Sequence, residues 1–300
     1  MEQAAVANCG MSLTEIPAIG VIGGSGLYDM EGLVDREEIE IVTPWGLPSD
    51  KILTGTLAGR KICFLPRHGR GHRILPSELN HQANIYALKS LGVRFIICIT
   101  AVGSLKEEYA PRDIVLIDQF FDRTSRREHH TFFGNGVVAH VGLSDPISIG
   151  LQEILFQVCQ AQGRKVHRNG TYVNMDGPAF STRAESNANR QLGFDVIGMT
   201  NLPEAKLARE AEIALATVAM ITDYDCWKVE EEPVNAHTVI GHLTANAAAA
   251  KAIIEAAIPL IPTVANWPEH RALDSALVTD KSLWPADTIK KLSAIVGRFL

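Results

Sequence analysis

The hydrophobic positions of the chain fall into short apolar runs separated by stretches with helical spacing. Apolar runs of strand length occupy residues 18–22, 53–57, 61–65, 94–100, 113–118, 170–175, 196–199 and 214–221. The run 94–100 is almost continuously apolar, which is typical of a strand buried on both faces of a sheet. The runs 53–57 and 61–65 are joined by only three residues and predict a β-hairpin.

Helices are predicted between these strands. Residues 77–91 carry apolar side chains at helical spacing and stop at Gly92, as a helix with a glycine cap does. Further helical stretches are predicted near 147–162, 183–192, 203–211, 236–257 and 285–298. This alternation predicts an α/β fold with a mixed central sheet and helices on both sides. No repeat or linker divides the chain, so we expect a loose tail over residues 1–17 and one domain over residues 18–300.

Composition narrows the class of protein. The 300 residues are 46% hydrophobic, enough for one buried core, and carry a formal net charge of -6. A negative chain does not attract nucleic acid or an acidic membrane surface, so we expect neither partner. No run reaches transmembrane length, and the amino terminus does not resemble a signal peptide. The five cysteines lack CxxC spacing, which favours a reducing cytoplasm over a disulfide framework or a structural zinc site.

The first predicted strand runs into four residues suited to surround an anion. Residues 23–26 read Gly-Gly-Ser-Gly, and glycines permit a tight turn with backbone N–H groups around a concavity. A plain tight turn is the alternative interpretation. A dinucleotide-binding turn is disfavoured, because the Gly-x-Gly-x-x-Gly spacing is absent and no long helix begins after Gly26.

Two further segments favour a bound anion. Residues 67–72 contain two arginines and two histidines directly after a predicted strand. Arginine suits phosphate because its guanidinium donates in a fixed fork, although a solvated basic loop would look similar. Thr100 ends the most apolar strand, and ligands of such sheets lie beyond the carboxyl ends of the strands. Its hydroxyl is therefore placed to reach the same anion.

Two carboxylates follow the last predicted strand. Asp223 and Asp225 come directly after the apolar run 214–221. Charged groups beside a core need a partner, which favours a functional role over ordinary solvated aspartates at a strand-to-loop corner. The histidines show no recurring ligand spacing with Asp, Glu or Cys, so we expect no metal site.

In order along the chain, several motifs resemble the trimeric nucleoside phosphorylase family, and specifically its methylthioadenosine phosphorylase branch. They are GGSGLYD, TPWGLPSD, RHGRGHRILPSELNHQANI, TAVGSL, DIVLIDQFFDRT, NMDGPAFSTRAES, VIGMTNLPEAKLARE and TDYDCW. The resemblance implies a nucleoside phosphorylase-like fold, in which one α/β domain has a mixed central sheet curled into a distorted barrel. It also implies a homotrimer with active sites near the subunit boundaries, and it leaves open whether trimers pair into hexamers. No cofactor is implied, since inorganic phosphate is a co-substrate.

The resemblance also implies roles for individual residues. Those implied to hold the phosphate are Ser25, Arg67, His68, Thr100, Ala101 through its backbone, and Thr200. Those implied to surround the nucleoside are Met199 at the ribose, Phe180 on the purine, His72 near the ribose and phosphate, and His140 from a neighbouring subunit.

A few positions bear on the substrate. Phosphorylases of 6-oxopurine nucleosides carry a glutamate where this chain has Ser181, and an asparagine where it has Asp223. A carboxylate accepts from the 6-amino group of adenine and repels a carbonyl oxygen. A protonated Asp225, its pKa raised by burial beside Asp223, would donate to N7 of the leaving base. An apolar pocket for a 5'-methylthio group is implied by Ala236, Val239 and Ile240.

The activity that the resemblance implies is phosphorolysis of 5'-methylthioadenosine to adenine and 5-methylthioribose 1-phosphate, through an oxocarbenium-like transition state. Alternatives are a phosphorylase of inosine, guanosine or methylthioinosine, a nucleoside-binding module without catalysis, and, more remotely, an NAD-dependent enzyme. Three positions depart from the family pattern: Ala179 replaces the arginine of GPRF, His81 replaces a tyrosine, and Asp176 replaces a glutamate. The frequent carboxyl-terminal cysteine pair is missing, so no tail disulfide is expected.

Overall fold

The fold is seen in a computed structural model that describes residues 16–24, 26–27, 30–228 and 236–300, with only the helical backbone described for 236–245. Residues 1–15 of the expected tail lie outside this range. The strands of the described chain are β1 (Ala18–Gly23), β2 (Val34–Ile39), β3 (Ile52–Leu57), β4 (Arg60–Pro66), β5 (Val93–Ser104), β6 (Ile114–Asp122), β7 (Val166–Asn174), β8 (Val196–Gly198) and β9 (Ala214–Asp223). The helices are α1 (His81–Ser90), α2 (Ile149–Ala161), α3 (Arg183–Gln191), α4 (Asn201–Glu210), α5 (Ala236–Ala257), α6 (Ala286–Lys291) and α7 (Ser293–Val296).

The strands form one mixed sheet that closes on itself. Their order is β2-β3-β4-β1-β5-β8-β7-β6-β9, and β9 also pairs with β5. The last five strands of this order therefore form a closed barrel, and the first four extend from it as a twisted sheet. The predicted α/β fold with a distorted barrel is confirmed.

Strand β5 joins the two parts of the sheet because it pairs with β1, β8 and β9. Its apolar side chains have neighbours on both faces, and Phe95, Ile96 and Ile97 are completely buried. Burial of this kind provides the main driving force for folding and explains why the sequence here is apolar without alternation.

The predicted strands and the hairpin of β3 and β4 are present, but three other features differ from expectation. Strand β2 was missed because its side chains are mostly exposed and polar, so it has no apolar run. The helix predicted from residue 77 begins at His81, because the Asn80 side chain accepts a hydrogen bond from the Ala83 amide and caps it there. The helix predicted over 285–298 is divided into α6 and α7. No helix in the described ranges is long and apolar enough to cross a membrane.

A buried histidine connects the segment after α5 to the sheet through hydrogen bonds. His270 is 2% exposed; its Nδ1 accepts from the Trp267 amide at 3.0 Å, and its Nε2 lies 2.9 Å from the Arg94 carbonyl oxygen. These contacts require the neutral ring with the proton on Nε2, and burial lowers the pKa of His270 to about 4. The neutral form is therefore part of the folded structure.

We expect this histidine to make the protein acid-sensitive. A folded-state pKa below the ordinary value contributes stability that is present above pH ~6.5 and is lost as pH falls towards ~4, about 3 kcal/mol in all. His270→Gln keeps a polar side chain that does not titrate, so its free energy of unfolding should fall less over this window. Urea unfolding at several pH values measures the difference, and identical pH dependences in the two proteins would contradict the assignment.

Candidate active site

Most of the predicted site residues meet at one edge of the sheet. The sheet contains three parallel pairings among four strands: β1 with β4, β1 with β5, and β5 with β9. The carboxyl ends of these four strands therefore lie on the same side of the sheet. Arg67 follows β4, and its amide donates to the Gly23 carbonyl oxygen at the end of β1. Gly103 of β5 pairs with Asp223 at the end of β9. The topology thus brings the candidate anion-binding residues and the two aspartates to one edge.

Arg67 is buried in an ion pair with Glu204. Its side chain is 4% exposed; Nε lies 2.5 Å and Nη2 lies 2.9 Å from the two oxygens of Glu204. Nη1 donates to the Ile99 carbonyl oxygen at 2.9 Å. Burial tends to lower the pKa of Arg67, but the attraction of Glu204 outweighs it and the pKa is raised. Glu204 stays ionised because Arg67 lowers its pKa against the opposing effect of burial.

Three of the five donor hydrogens of Arg67 are used in these contacts. Two remain for another acceptor. The guanidinium is held in place by Glu204 and by the carbonyl just before Thr100, so its orientation is fixed before any anion arrives. Glu204 was not identified from the sequence as the partner of Arg67. The one local feature that indicates such a partner is a carboxylate on the buried face of α4.

His68 and His81 lie near this ion pair, and a third histidine lies against the first of them. His68 Nδ1 lies 2.8 Å from the Ile74 carbonyl oxygen, and its ring stacks on His72 with 4.3 Å between centroids. Burial lowers the pKa of His68 to about 4. His81, at the position that departs from the family tyrosine, is also buried and has its pKa lowered to about 4 by burial. Both of these rings are neutral at physiological pH, so neither adds a charge to the Arg67–Glu204 ion pair.

Two threonines lie where β5 and α4 approach this edge. Thr100 and Thr200 are 6% and 5% exposed. Thr200 precedes the first residue of α4, where backbone N–H groups have no partner within the helix and favour an anion. Its side chain makes no capping hydrogen bond to the helix. The preceding residue, Met199, contacts Gly177, where an added Cβ would lie 2.5 Å from the Met199 sulfur.

The two aspartates are buried and differ in their contacts. Asp223 accepts from the Asp225 amide at 2.7 Å and from the Thr222 hydroxyl at 2.7 Å. Asp225 is 6% exposed, and its Oδ2 is buried with no hydrogen-bond partner in the described chain. Burial raises the pKa of Asp225 against the opposing effect of the Ser186 and Ser181 hydroxyls. Burial, the cause expected from the sequence, makes the largest contribution to this raised pKa.

The segment expected to contact a purine lies against these aspartates. The Ser181 carbonyl oxygen accepts from the Cys226 thiol at 3.2 Å, and the Ser181 hydroxyl contacts the Met175 sulfur. Phe180, just before it, is 42% exposed and available to a ligand. Asp176, at another departure from the family pattern, is bound by the Ser125 amide and hydroxyl.

Some predicted site residues are not brought to this edge within one chain. His140 is exposed and lines a different cavity of about 500 Å³ together with Lys206 and Glu210, and none of the other predicted site residues lines it. Ser25 lies outside the described residues, and so do the side chains of Ala236, Val239 and Ile240. Where side chains are described, no group of three His, Cys, Asp or Glu residues is arranged to hold a metal ion.

Comparison with known proteins identifies the family. The sequence profile of the phosphorylase superfamily matches residues 18–259. The chain is 53% identical over 282 residues to an S-methyl-5'-thioadenosine phosphorylase of Geobacter sulfurreducens, covering 94% of this chain and 99% of that one. It is 50% identical over 281 residues to the enzyme of the same name from Koribacter versatilis, covering 94% and 96%.

Comparison with solved structures identifies the same family as comparison of the sequences. The fold matches a methylthioadenosine phosphorylase from an antarctic soil metagenomic library with a TM-score of 0.88 and 47% identity, covering 94% of this chain and 99% of that one. It also matches a methylthioadenosine phosphorylase from Schistosoma mansoni in complex with adenine, with a TM-score of 0.80, 34% identity, and coverage of 89% and 100%. The chain therefore belongs to the phosphorylase superfamily, as its motifs predicted.

Proposed function

We propose that this protein is an enzyme that cleaves the N-glycosidic bond of 5'-methylthioadenosine with inorganic phosphate, releasing adenine and 5-methylthioribose 1-phosphate. The names of its relatives support this substrate. The structural observation that carries the proposal is a buried carboxyl of raised pKa, Asp225, on the same sheet edge as the fixed cation Arg67. A proton donor for the base and an anion site for the nucleophile are what phosphorolysis requires.

In the proposed reaction the phosphate lies between the ends of β4 and β5 and the start of α4. Arg67 offers its two remaining N–H groups, and the threonines Thr100 and Thr200 offer hydroxyls. Phosphate attacks the anomeric carbon as the bond to the base breaks, and its negative charge stabilises the positive charge on the ribose. Ser25, His68 and the Ala101 backbone complete the proposed phosphate site. No cofactor takes part.

The leaving base receives a proton from Asp225. The base accumulates negative charge as the bond to the sugar stretches, and the carboxylic acid of Asp225 neutralises it at N7. The Asp223 carboxylate then accepts from the 6-amino group of adenine, while Phe180 covers the ring and Met199 lies against the ribose. A 6-carbonyl would face a carboxylate at Asp223, which disfavours inosine and guanosine.

The proposal includes a homotrimer in the cytoplasm. His140 lies on a different cavity from the rest of the site within one chain, which supports its being supplied to the active site of a neighbouring subunit. The scattered cysteines, without CxxC spacing, are the reason for proposing a reducing compartment.

The proposal is tested by base release from 5'-methylthioadenosine, adenosine and inosine, each with and without inorganic phosphate. We expect phosphate-dependent release of adenine, about fivefold to thirtyfold faster in kcat/KM with methylthioadenosine than with adenosine, because burying a methylthio group stabilises binding by about 1–2 kcal/mol. Rapid cleavage of inosine would contradict the role of Asp223. Binding of all three nucleosides without cleavage would favour a nucleoside-binding module.

A further inference from the structure

Side chains of β7 support the turn between β8 and α4, which carries Met199 and Thr200. Asn174 donates to the Met199 carbonyl oxygen at 3.2 Å and accepts from the Leu202 amide at 3.1 Å. Tyr172 lies two residues earlier, and alternate residues of a strand face the same side of a sheet. The same face of β7 therefore presents a tyrosine to the region beneath Thr200.

The hydroxyl of Tyr172 points at this turn. A Cβ added at Gly198 would lie 1.9 Å from the Tyr172 hydroxyl oxygen, so the hydroxyl rests directly against the Gly198 backbone. Only glycine leaves the necessary space. Tyr172 is completely buried, and its hydroxyl has no hydrogen-bond partner of good geometry in the described chain.

Three groups of the proposed phosphate site nevertheless act on this hydroxyl. Burial raises the pKa of Tyr172 to about 12, and the Thr200 backbone, Arg67 and the Thr100 side chain act in the opposite direction. The hydroxyl is therefore protonated at physiological pH and able to donate. A buried hydroxyl without a partner lowers stability, and phenylalanine would fill the same space, so packing alone does not account for the tyrosine.

We propose that Tyr172 is a positioning residue of the phosphate site. With phosphate bound, its hydroxyl accepts from the Thr200 amide and donates to the Thr100 hydroxyl oxygen, and the Thr100 hydrogen turns from the Ala101 carbonyl oxygen, 3.4 Å away, towards the phosphate. Tyr172 thereby acts through the two threonines, without touching the substrate. This inference rests on the proposed phosphorylase activity.

The test is Tyr172→Phe, with the KM values for phosphate and for methylthioadenosine measured separately. We expect the phosphate KM to rise about fivefold, the effect of one lost hydrogen bond, and the nucleoside KM to stay within about twofold. The matched control is Tyr86→Phe, which removes another buried tyrosine hydroxyl, one that contacts Ser293 at 3.1 Å. Both KM values of the control should match the wild type.

A double-variant cycle tests whether Tyr172 acts through Thr100. The phosphate KM is measured in Tyr172→Phe, in Thr100→Val and in the double variant. Its rise in the double variant should be smaller than the product of the rises in the two single variants, because either change breaks the same contact. Strictly multiplicative effects, an unchanged phosphate KM, or equal rises in both KM values would overturn the proposal. Loss of folded structure in Tyr172→Phe, seen by circular dichroism, would also overturn the proposal, because the hydroxyl would then be needed for folding and not for phosphate binding. Wild-type cleavage that does not depend on phosphate would instead refute the proposed function itself.

Discussion

Replacing Asp225 with asparagine should lower kcat with 5'-methylthioadenosine by about 100-fold or more, the usual scale for a positioned general acid. Asparagine keeps the size of the side chain and removes the proton that the leaving base requires. Steady-state rates measure the effect, with Asp287→Asn on the exposed start of α6 as a control that should retain wild-type activity.

The pH profile distinguishes an acid from a group that only binds the base. Burial raises the pKa of Asp225, so the protonated form extends to higher pH than for an ordinary aspartate. Activity that depends on this form is present below the raised pKa and declines as pH rises through it. Asp225→Asn should lack this alkaline decline. A near-normal rate in the variant, or an unchanged profile, would remove Asp225 from the mechanism.

Replacing Arg67 with alanine should damage both stability and phosphate binding. It leaves Glu204 as an uncompensated buried charge, which costs about 3–5 kcal/mol of the free energy of unfolding. It also removes the fixed donors of the proposed anion site, so the phosphate KM should rise strongly in any protein that remains folded. Urea unfolding and phosphate titrations of the rate measure the two effects.

A double variant separates the two consequences. Arg67→Met combined with Glu204→Leu replaces a buried ion pair by apolar side chains, a change that is often neutral for stability. We expect it to recover most of the stability lost in Arg67→Ala and none of the phosphate affinity. Recovery of a wild-type phosphate KM would place the anion site elsewhere, and an Arg67→Ala protein as stable as the wild type would contradict the importance of the ion pair.

The parts of the fold that can be predicted from the sequence are those marked by a pattern of neighbouring residues. Buried strands such as β5 and β9 read as apolar runs, and the polar residues that follow them must meet because parallel strands end at one edge. Thr100, Asp223 and Asp225 could be selected on that basis alone. The resemblance then supplied their chemical roles.

The features that were missed depend on contacts between distant residues. Arg67 and Glu204 are 137 positions apart, and no periodicity connects them. The exposed strand β2 has no apolar run because its stability comes from pairing with β3. The Tyr172 hydroxyl is recognisable only when the Gly198 backbone is placed against it. Each of these is a tertiary relation that composition and spacing do not encode.

The pairing of β5 with β9 has a consequence for how the protein acquires its activity. The two strands are about 120 residues apart along the chain, so their pairing requires the closure of a large loop and is expected to be slow. Thr100 stands on one of these strands and Asp223 on the other. A folding intermediate with an open barrel would have its helices and its hairpin but no catalytic centre. Activity after denaturation can therefore return only once this long-range pairing has formed.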